Sequence, residues 1–180
     1  GGSSIVVDPV STSTDHEVRV YLLGTCFGGI LHQRGFLVIH ASGIGTDLGA
    51  ALFAGPSGAG KSTLLGELLQ RGHRMMVDDV SAVSLDGEGV PTLLSSYPRT
   101  RLWADSADRL DIETDGLERT RSTMNKFERQ VPEQFWPDAA PLRRLYHLTV
   151  GAVDEPTLTR LDPIAAFPVV VDNTYRSILL

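Results

Sequence analysis

Apolar residues are laid out along this chain in short runs with period two, interrupted by a smaller number of stretches with helical spacing. Ile5-Val6-Val7 and Glu17-Val18-Arg19-Val20-Tyr21 read as short strands separated by a polar stretch of Ser, Thr and Asp. Gly24 to Arg34 has small and apolar residues at roughly helical spacing and predicts a helix. Phe36-Leu37-Val38-Ile39-His40-Ala41 predicts a strand ending on a histidine, Ser42 to Gly49 a turn, and Ala50–Ala54 a buried strand. Leucines at helical spacing over Thr63–Gln70 predict a helix, closed by Arg71 and a glycine, Gly72.

Beyond it, Met75-Met76-Val77 runs into Asp78-Asp79, and Val80–Leu85 alternates as a strand. Asp86-Gly87-Glu88-Gly89 reads as a hairpin turn and Val90–Leu94 as the returning strand. A short helix is predicted over Ser106–Leu110. Asp111–Pro141, polar and broken by prolines, reads as a long excursion and the least ordered part of the chain. Leu145–Val150 and, more weakly, Thr157–Leu161 read as strands, and Asp162-Pro163 as a helix start. Gly1-Gly2-Ser3-Ser4 reads as a cloning remnant outside the fold. The apolar Ile178-Leu179-Leu180 comes without a helix stop, as in a chain that continues.

Between the Ala50–Ala54 strand and the leucine helix lies Gly55-Pro56-Ser57-Gly58-Ala59-Gly60-Lys61-Ser62, followed by Thr63. This is the phosphate-binding pattern of Gly, four free positions, Gly, Lys and Ser or Thr, in the strand–loop–helix context that gives it a mechanism. Glycines let backbone N–H groups turn inward around a phosphate, and the new helix points its positive end at the same place. Lys61 can then reach the terminal phosphates, and the Ser62 hydroxyl can ligate Mg²⁺. Asp78 and Asp79 follow at the end of the next predicted strand, where ligands of open α/β sheets sit. Phosphoryl transfer needs one carboxylate near Mg²⁺ and another to orient or deprotonate the attacking hydroxyl. Sequence alone does not divide those roles, although Asp78 as metal ligand and Asp79 as base is the preferred assignment. His40, ending the neighbouring strand, is the third candidate.

Composition narrows the function further. With 180 residues, 42% hydrophobic and 21% charged, the chain has enough apolar material for one domain with a core. A formal charge of −6 gives no footprint for nucleic acid or an anionic membrane, and no apolar run reaches membrane-spanning length. The single cysteine, Cys26, excludes an internal disulfide, reads as a small buried hydrophobe and suits a reducing, cytoplasmic setting. Only two of the 16 basic residues are lysines, Lys61 and Lys126, so a compact ammonium in the loop is a choice against the general arginine usage. Lys126 is therefore a candidate second phosphate contact. Arg99 and Arg101 alternate toward one side of an extended segment; they suit a bidentate clamp on phosphate or a peptide carboxylate, or else a solvated surface. Trp103 and Trp136 read as core or domain-edge aromatics.

His40 fifteen residues before Gly55, and Asp78-Asp79 seventeen after Lys61, together resemble the catalytic domain of HPr kinase/phosphorylase. The helix end Gln70-Arg71-Gly72-His73-Arg74 adds to the likeness, which is tight over about Leu37–Leu85. The resemblance implies an α/β fold, a P-loop-containing mixed sheet of the HPr kinase C-terminal and phosphoenolpyruvate carboxykinase type. Residues 36–180 would form the catalytic domain, with 1–35 packing on it. It also implies ATP and Mg²⁺, with Ser62 and an aspartate serving the metal, and the Asp pair with His40 handling a serine hydroxyl. The glycine-rich, Arg-containing stretch with which HPr kinases engage their protein partner is absent. Gly29–Gly35, Tyr97–Trp103 and Asn125-Lys126-Phe127 are more similar to the HPr-kinase-like enzymes of lasso-peptide gene clusters. Those phosphorylate a serine at the C-terminal end of a precursor peptide. The implied partner is such a peptide, or a small carrier protein, in a bacterial cytoplasm; no nucleic acid or membrane is implied, and a homo-oligomer stays open.

Other loop-containing classes fit less well. Asn125-Lys126-Phe127-Glu128 ends in Glu where a GTPase base reader has Asp. The Ser-Gly-Gly signature of transporter ATPases is missing too. What competes with a hydroxyl kinase is a regulator that holds nucleotide and recruits a peptide without chemistry.

Overall fold

The computed structural model describes residues 2–85, 89–121, 123–151 and 155–177. Helix α1 (Asp15–Tyr21) continues through a π-helical turn (Leu22–Cys26) into α2 (Phe27–Gln33). Strands β1 (Leu37–Ile39), β2 (Ala41–Thr46) and β3 (Gly49–Ala54) follow, then helix α3 (Lys61–Gln70). Next come β4 (Arg74–Val77), β5 (Ser81–Leu85), β6 (Pro91–Leu93), β7 (Arg99–Trp103) and α4 (Ala104–Arg109). Strands β8 (Glu118–Arg119), β9 (Lys126–Gln130) and β10 (Ala140–His147) precede the last helix, α5 (Pro163–Asp172).

Seven strands form one sheet in the order β1-β5-β6-β10-β3-β2-β4, and β7-β9-β8 form a second, smaller one. Among the described strand pairs, β10 and β3 run parallel and the others antiparallel, so the sheet is mixed. Strand β10 is long enough to serve both halves, pairing β6 through Ala140-Pro141 and β3 from Leu142 onward. Two chain segments change halves at the same place. β1 pairs β5 and β2 pairs β4, with His40 at the break; β4 and β5 are in turn separated by Asp78-Asp79-Val80. The site acids and the histidine meet because they occupy these two adjoining breaks.

Alternation along β3 feeds both faces of the sheet. Leu52 and Ala54 join Ile39, Met76, Val77, Val83 and Leu93 on one side. Phe53 joins Ile44, Met75 and the α3 leucines Leu65 and Leu69 on the other. Each such buried side chain contributes on the order of 1.5–3 kcal/mol, and together they clamp the strand before the loop and the helix after it.

Several expectations are corrected. Glu17–Tyr21 is helix: Thr14 Oγ1 accepts from Glu17 N–H while the Glu17 carboxylate accepts from Thr14 N–H, a capping box that outweighs the Val18/Val20 alternation. Ile5–Val7 and Thr157–Leu161 are irregular and pair with no strand among the described residues. The Ser42–Gly49 turn is mostly strand β2. Its glycines serve close packing, since a Cβ on Gly45 would lie 2.6 Å from the Trp136 ring and one on Gly43 2.7 Å from Leu52. The described residues of 111–141 hold β8, β9, a 3₁₀ turn at Pro132–Gln134 and the start of β10. Gly2 is not outside the fold, because its carbonyl accepts from Arg34 Nε at 2.9 Å. Cys26 is only half-buried. The 86–88 part of the hairpin turn and Ile178-Leu179-Leu180 lie outside the described residues.

Candidate active site

The loop from Gly55 to Gly60 leaves β3 and enters α3 on three left-handed glycines, Gly55 (φ 148°), Gly58 (φ 84°) and Gly60 (φ 92°). Gly55 is fixed by space as well: a Cβ there would stand 2.6 Å from the Leu148 carbonyl oxygen. Cβ atoms at Gly58 and Gly60 would meet nothing within 4 Å, so the concave side of the loop is open. Gly60 begins α3 without a side-chain cap, and the first N–H groups of that helix have no acceptor within it. This is the cradle an anion needs. The buried Lys61 ammonium donates to the Gly55 and Pro56 carbonyls at 2.8 and 3.0 Å. Burial, and then Lys126, lower its pKa, against the pull of Asp78 and Asp79.

Asp78 is the buried hub. Its Oδ1 accepts from Ser42 Oγ at 2.7 Å and Ser62 Oγ at 3.2 Å, and its Oδ2 from the Arg101 N–H at 2.8 Å. Burial pushes its carboxyl above the ordinary range, although the Ser42 and Arg101 hydrogen bonds act in the other direction. A carboxylate and a hydroxyl in contact beside an open anion cradle are hard oxygen ligands that fit Mg²⁺, which takes few protein ligands and completes its shell with phosphate and water. A dication there would also relieve the buried charge of Asp78.

Asp79 faces the opposite way, on a backbone with φ 83°, a conformation that costs a non-glycine residue on the order of 1 kcal/mol or more. His40 Nδ1 lies 2.9 Å from the Asp79 carbonyl and 3.2 Å from its carboxylate. Because both are acceptors, that nitrogen carries a proton. Arg101 Nη1 donates to the other carboxylate oxygen at 2.7 Å. Burial alone would raise the Asp79 pKa, but His40 and then Arg101 lower it from 3.8 to about 2. The Arg101 guanidinium also donates through Nε to Glu128 at 3.0 Å, and Arg99 pairs with the second Glu128 oxygen. Burial works against the Arg101 charge; Asp79 and Glu128 outweigh it and raise the pKa.

Two cavities meet at these residues. One, of about 300 Å³, is lined by the loop, Ser62, Thr63, Asp78 and Trp103. The other, of about 520 Å³, lies beyond Asp79 against Arg101, the segment after β8 (Thr120 and Arg121) and the segment after α5. His40, Ser57, Asp79 and Lys126 line both. Lys126 begins β9, with its ammonium 5.7 Å from the Trp103 ring centroid. Thr63 donates to Ser106 at 2.8 Å, fixing α3 to α4 at the cavity wall.

The structure thus brings His40, the loop, Asp78, Asp79, Arg101 and Lys126 together. Arg99 is turned to Glu128 and the Tyr97 hydroxyl instead. Glu128, Ser42, Thr120 and Tyr175 were not among the site candidates from sequence; only the β7–β9 register, Arg101 opposite Glu128, exposes the first. His16, Glu118 and Glu128 bring possible metal-ligating atoms within 4.8 Å of one another, but two arginines already occupy Glu128 and oppose a cation there. Among the described residues, no helix is long and apolar enough to cross a membrane.

No family model matches the chain, and no curated protein does. Among solved structures it is similar to the Hpr(Ser) kinase/phosphatase from Coxiella burnetii, at 17% identity and a TM-score of 0.44. The match covers 71% of this chain and 66% of that one, so this chain spans about two thirds of the neighbour's length.

Proposed function

We propose that this chain is an ATP- and Mg²⁺-dependent kinase that phosphorylates a serine hydroxyl, at the C-terminal end of a ribosomally made precursor peptide of the lasso type. The observation that carries the reading is the position of Asp79: a carboxylate between two cavities, one floored by a phosphate-binding loop. A nucleotide with its phosphates on Gly58–Ser62 presents its terminal phosphoryl group toward the junction, and an acceptor in the second cavity meets it there. Ser62 and Asp78 would hold Mg²⁺, which supplies charge neutralisation on the phosphates.

The chain's own residues account for the rest. The acceptor oxygen forms a bond to the γ-phosphorus as the bond to the ADP oxygen breaks. Asp79, ionised at neutral pH, orients the hydroxyl and takes its proton late, since a carboxylate near pKa 2 is too weak to deprotonate a free alcohol beforehand. His40 and Arg101 hold that carboxylate in one orientation, and Lys61 and Lys126 face the charge that moves with the phosphoryl group.

Mass spectrometry of acceptors incubated with protein, ATP and Mg²⁺ tests this. Peptides ending in Ser or Thr, and HPr, serve as acceptors, with Lys61→Ala and Asp79→Asn as controls. Phosphorylation of a C-terminal-serine peptide, lost in both variants, is expected. Modification of HPr alone would make this a carrier-protein kinase, and tight ATP binding without transfer to any acceptor would make it a binding regulator.

A further inference from the structure

Two side chains on the wall of the second cavity carry a polar atom without a partner. Arg101 Nη2 and Thr120 Oγ1 are buried and have no hydrogen-bond partner among the described residues. Arg101 is 7% exposed and Thr120 6%, so water from the open surface does not account for either. An unpaired buried donor costs on the order of 1–3 kcal/mol, so each of these two groups calls for an explanation. Two further guanidiniums face the same space. Arg121 and Arg176 make no ion pair among the described residues; each lies over a tyrosine, Arg121 5.0 Å from the Tyr21 centroid and Arg176 5.8 Å from that of Tyr175. With Lys126 the wall presents four cationic side chains against the acids Asp79 and Asp172. This is a strong local reversal in a chain of net charge −6.

We propose that the second cavity is an oxyanion-binding acceptor pocket, in which Arg101 Nη2, Thr120 Oγ1, Arg121 and Arg176 receive a carboxylate or phosphate group that the acceptor carries beside its hydroxyl. Arginine suits this task because its planar fork donates two parallel hydrogen bonds to either group. Gly58 and Gly60 to Thr63, the part of the loop that opens α3, line only the first cavity, while Gly55 to Ser57 line the second, with Ser57 on the shared rim. Nucleotide phosphates on Gly58–Ser62 and this oxyanion therefore occupy different places. Only the word acceptor rests on the kinase reading; the oxyanion site stands on the cavity itself.

The test titrates three probes calorimetrically into the intact chain: inorganic phosphate, and one peptide ending in Ser as free acid and as amide. It is run with the loop filled by Mg²⁺ and a non-hydrolysable ATP analogue, and again with Lys61→Ala and no nucleotide. Phosphate is expected to bind in both settings and to compete with the free-acid peptide. Affinity should fall at least tenfold in Arg121→Ala/Arg176→Ala and several-fold in the near-isosteric Thr120→Val, with analogue affinity unchanged. A tenfold preference for acid over amide assigns the oxyanion to a carboxylate; equal peptides with phosphate still competing assign it to a phosphate. The proposal is overturned if phosphate does not bind, or if the double variant binds it as the parent does. Failure of the analogue to bind wild type would instead remove the kinase reading and leave the Lys61→Ala titrations to decide the pocket.

Discussion

Asp78 and Asp79 are neighbours in sequence with opposite electrostatics, and the difference is set by what each touches. Asp79 faces His40 and Arg101, so its carboxylate is held at about pKa 2, below its ordinary 3.8. A depressed carboxylate stabilises the fold above its unfolded pKa and loses that contribution as pH falls through the folded one. Its share is on the order of 2 kcal/mol, from 1.36 kcal/mol per unit. Urea unfolding of wild type and Asp79→Asn should therefore differ by a constant amount above about pH 5, with the gap closing between roughly pH 4 and 2. A gap that does not change with pH would mean that Asp79 is not ion-paired. In kinetics, Asp79→Asn should lower kcat by about 10²–10⁴ with nucleotide affinity within about twofold, the range for a lost proton acceptor.

Asp78 answers differently. Asn there can keep its oxygen on the Arg101 N–H and turn its N–H₂ to the Ser42 and Ser62 hydroxyls, which then accept instead of donating, so every group stays paired while the buried charge is lost. Asp78→Asn is therefore expected to change the unfolding free energy by no more than about 1 kcal/mol, the scale of one ordinary hydrogen bond. It should also remove the Mg²⁺ dependence of nucleotide affinity, which a titration with and without Mg²⁺ reads directly.

At the scale of elements, the site depends on how the N- and C-terminal segments seal the edge of the sheet. The His40 N–H donates to the Asn173 carbonyl at 2.8 Å, and the Tyr175 N–H to Val38 at 2.8 Å, so the segment after α5 pairs beside β1. His32 on α2 reaches the Tyr175 carbonyl at 2.9 Å, and Gly28 lets the Tyr175 ring lie against the same helix. A Cβ on Gly28 would stand 2.7 Å from that ring. Gly28→Ala should thus destabilise by about 1–3 kcal/mol as an overpacked contact. It should weaken acceptor binding more than nucleotide binding, because Tyr175 lines only the second cavity. Equal effects on KM for acceptor and nucleotide would argue against that division.

Which elements were legible follows from the same geometry. The loop, α3 and the Asp pair form one local run of strand, turn, helix and strand, so spacing alone located them. Thr14 and Glu17 did announce a helix, but the reading followed the nearby valines. Strand β2 looked like a turn because Gly43 and Gly45 are there to admit Leu52 and Trp136, contacts made across the fold. The second cavity was legible only in part. Arg101 and Lys126 stood out from sequence, but Thr120, Arg121 and Tyr175 did not; only β7–β9–β8 pairing and the return of the chain after α5 collect them.

The whole molecule puts a basic, polar site at the junction of two half-sheets, and that placement links ligand binding to global stability. The loop leaves β3, which pairs with β2 and β10 at the centre of the seven-stranded sheet, and enters α3, whose leucines are core. A ligand that bridges Lys61, Ser62 and Asp78 therefore ties β3, α3 and the end of β4 together, and it binds only when all three are folded. Mass action then gives a stabilisation of about 2.7 kcal/mol at a nucleotide concentration of 100 Kd. For a chain of this length each kcal/mol moves the melting temperature by roughly 2–4 °C, so Mg²⁺-ATP at that level should raise it by roughly 5–10 °C. Lys61→Ala should abolish the shift, because it removes the phosphate contact at the loop. Thr120→Val should keep it in full, since Thr120 lines only the second cavity. A shift that survives in Lys61→Ala would place the nucleotide somewhere other than this loop, and with it would go the assignment of Asp79 to the point where the two cavities meet.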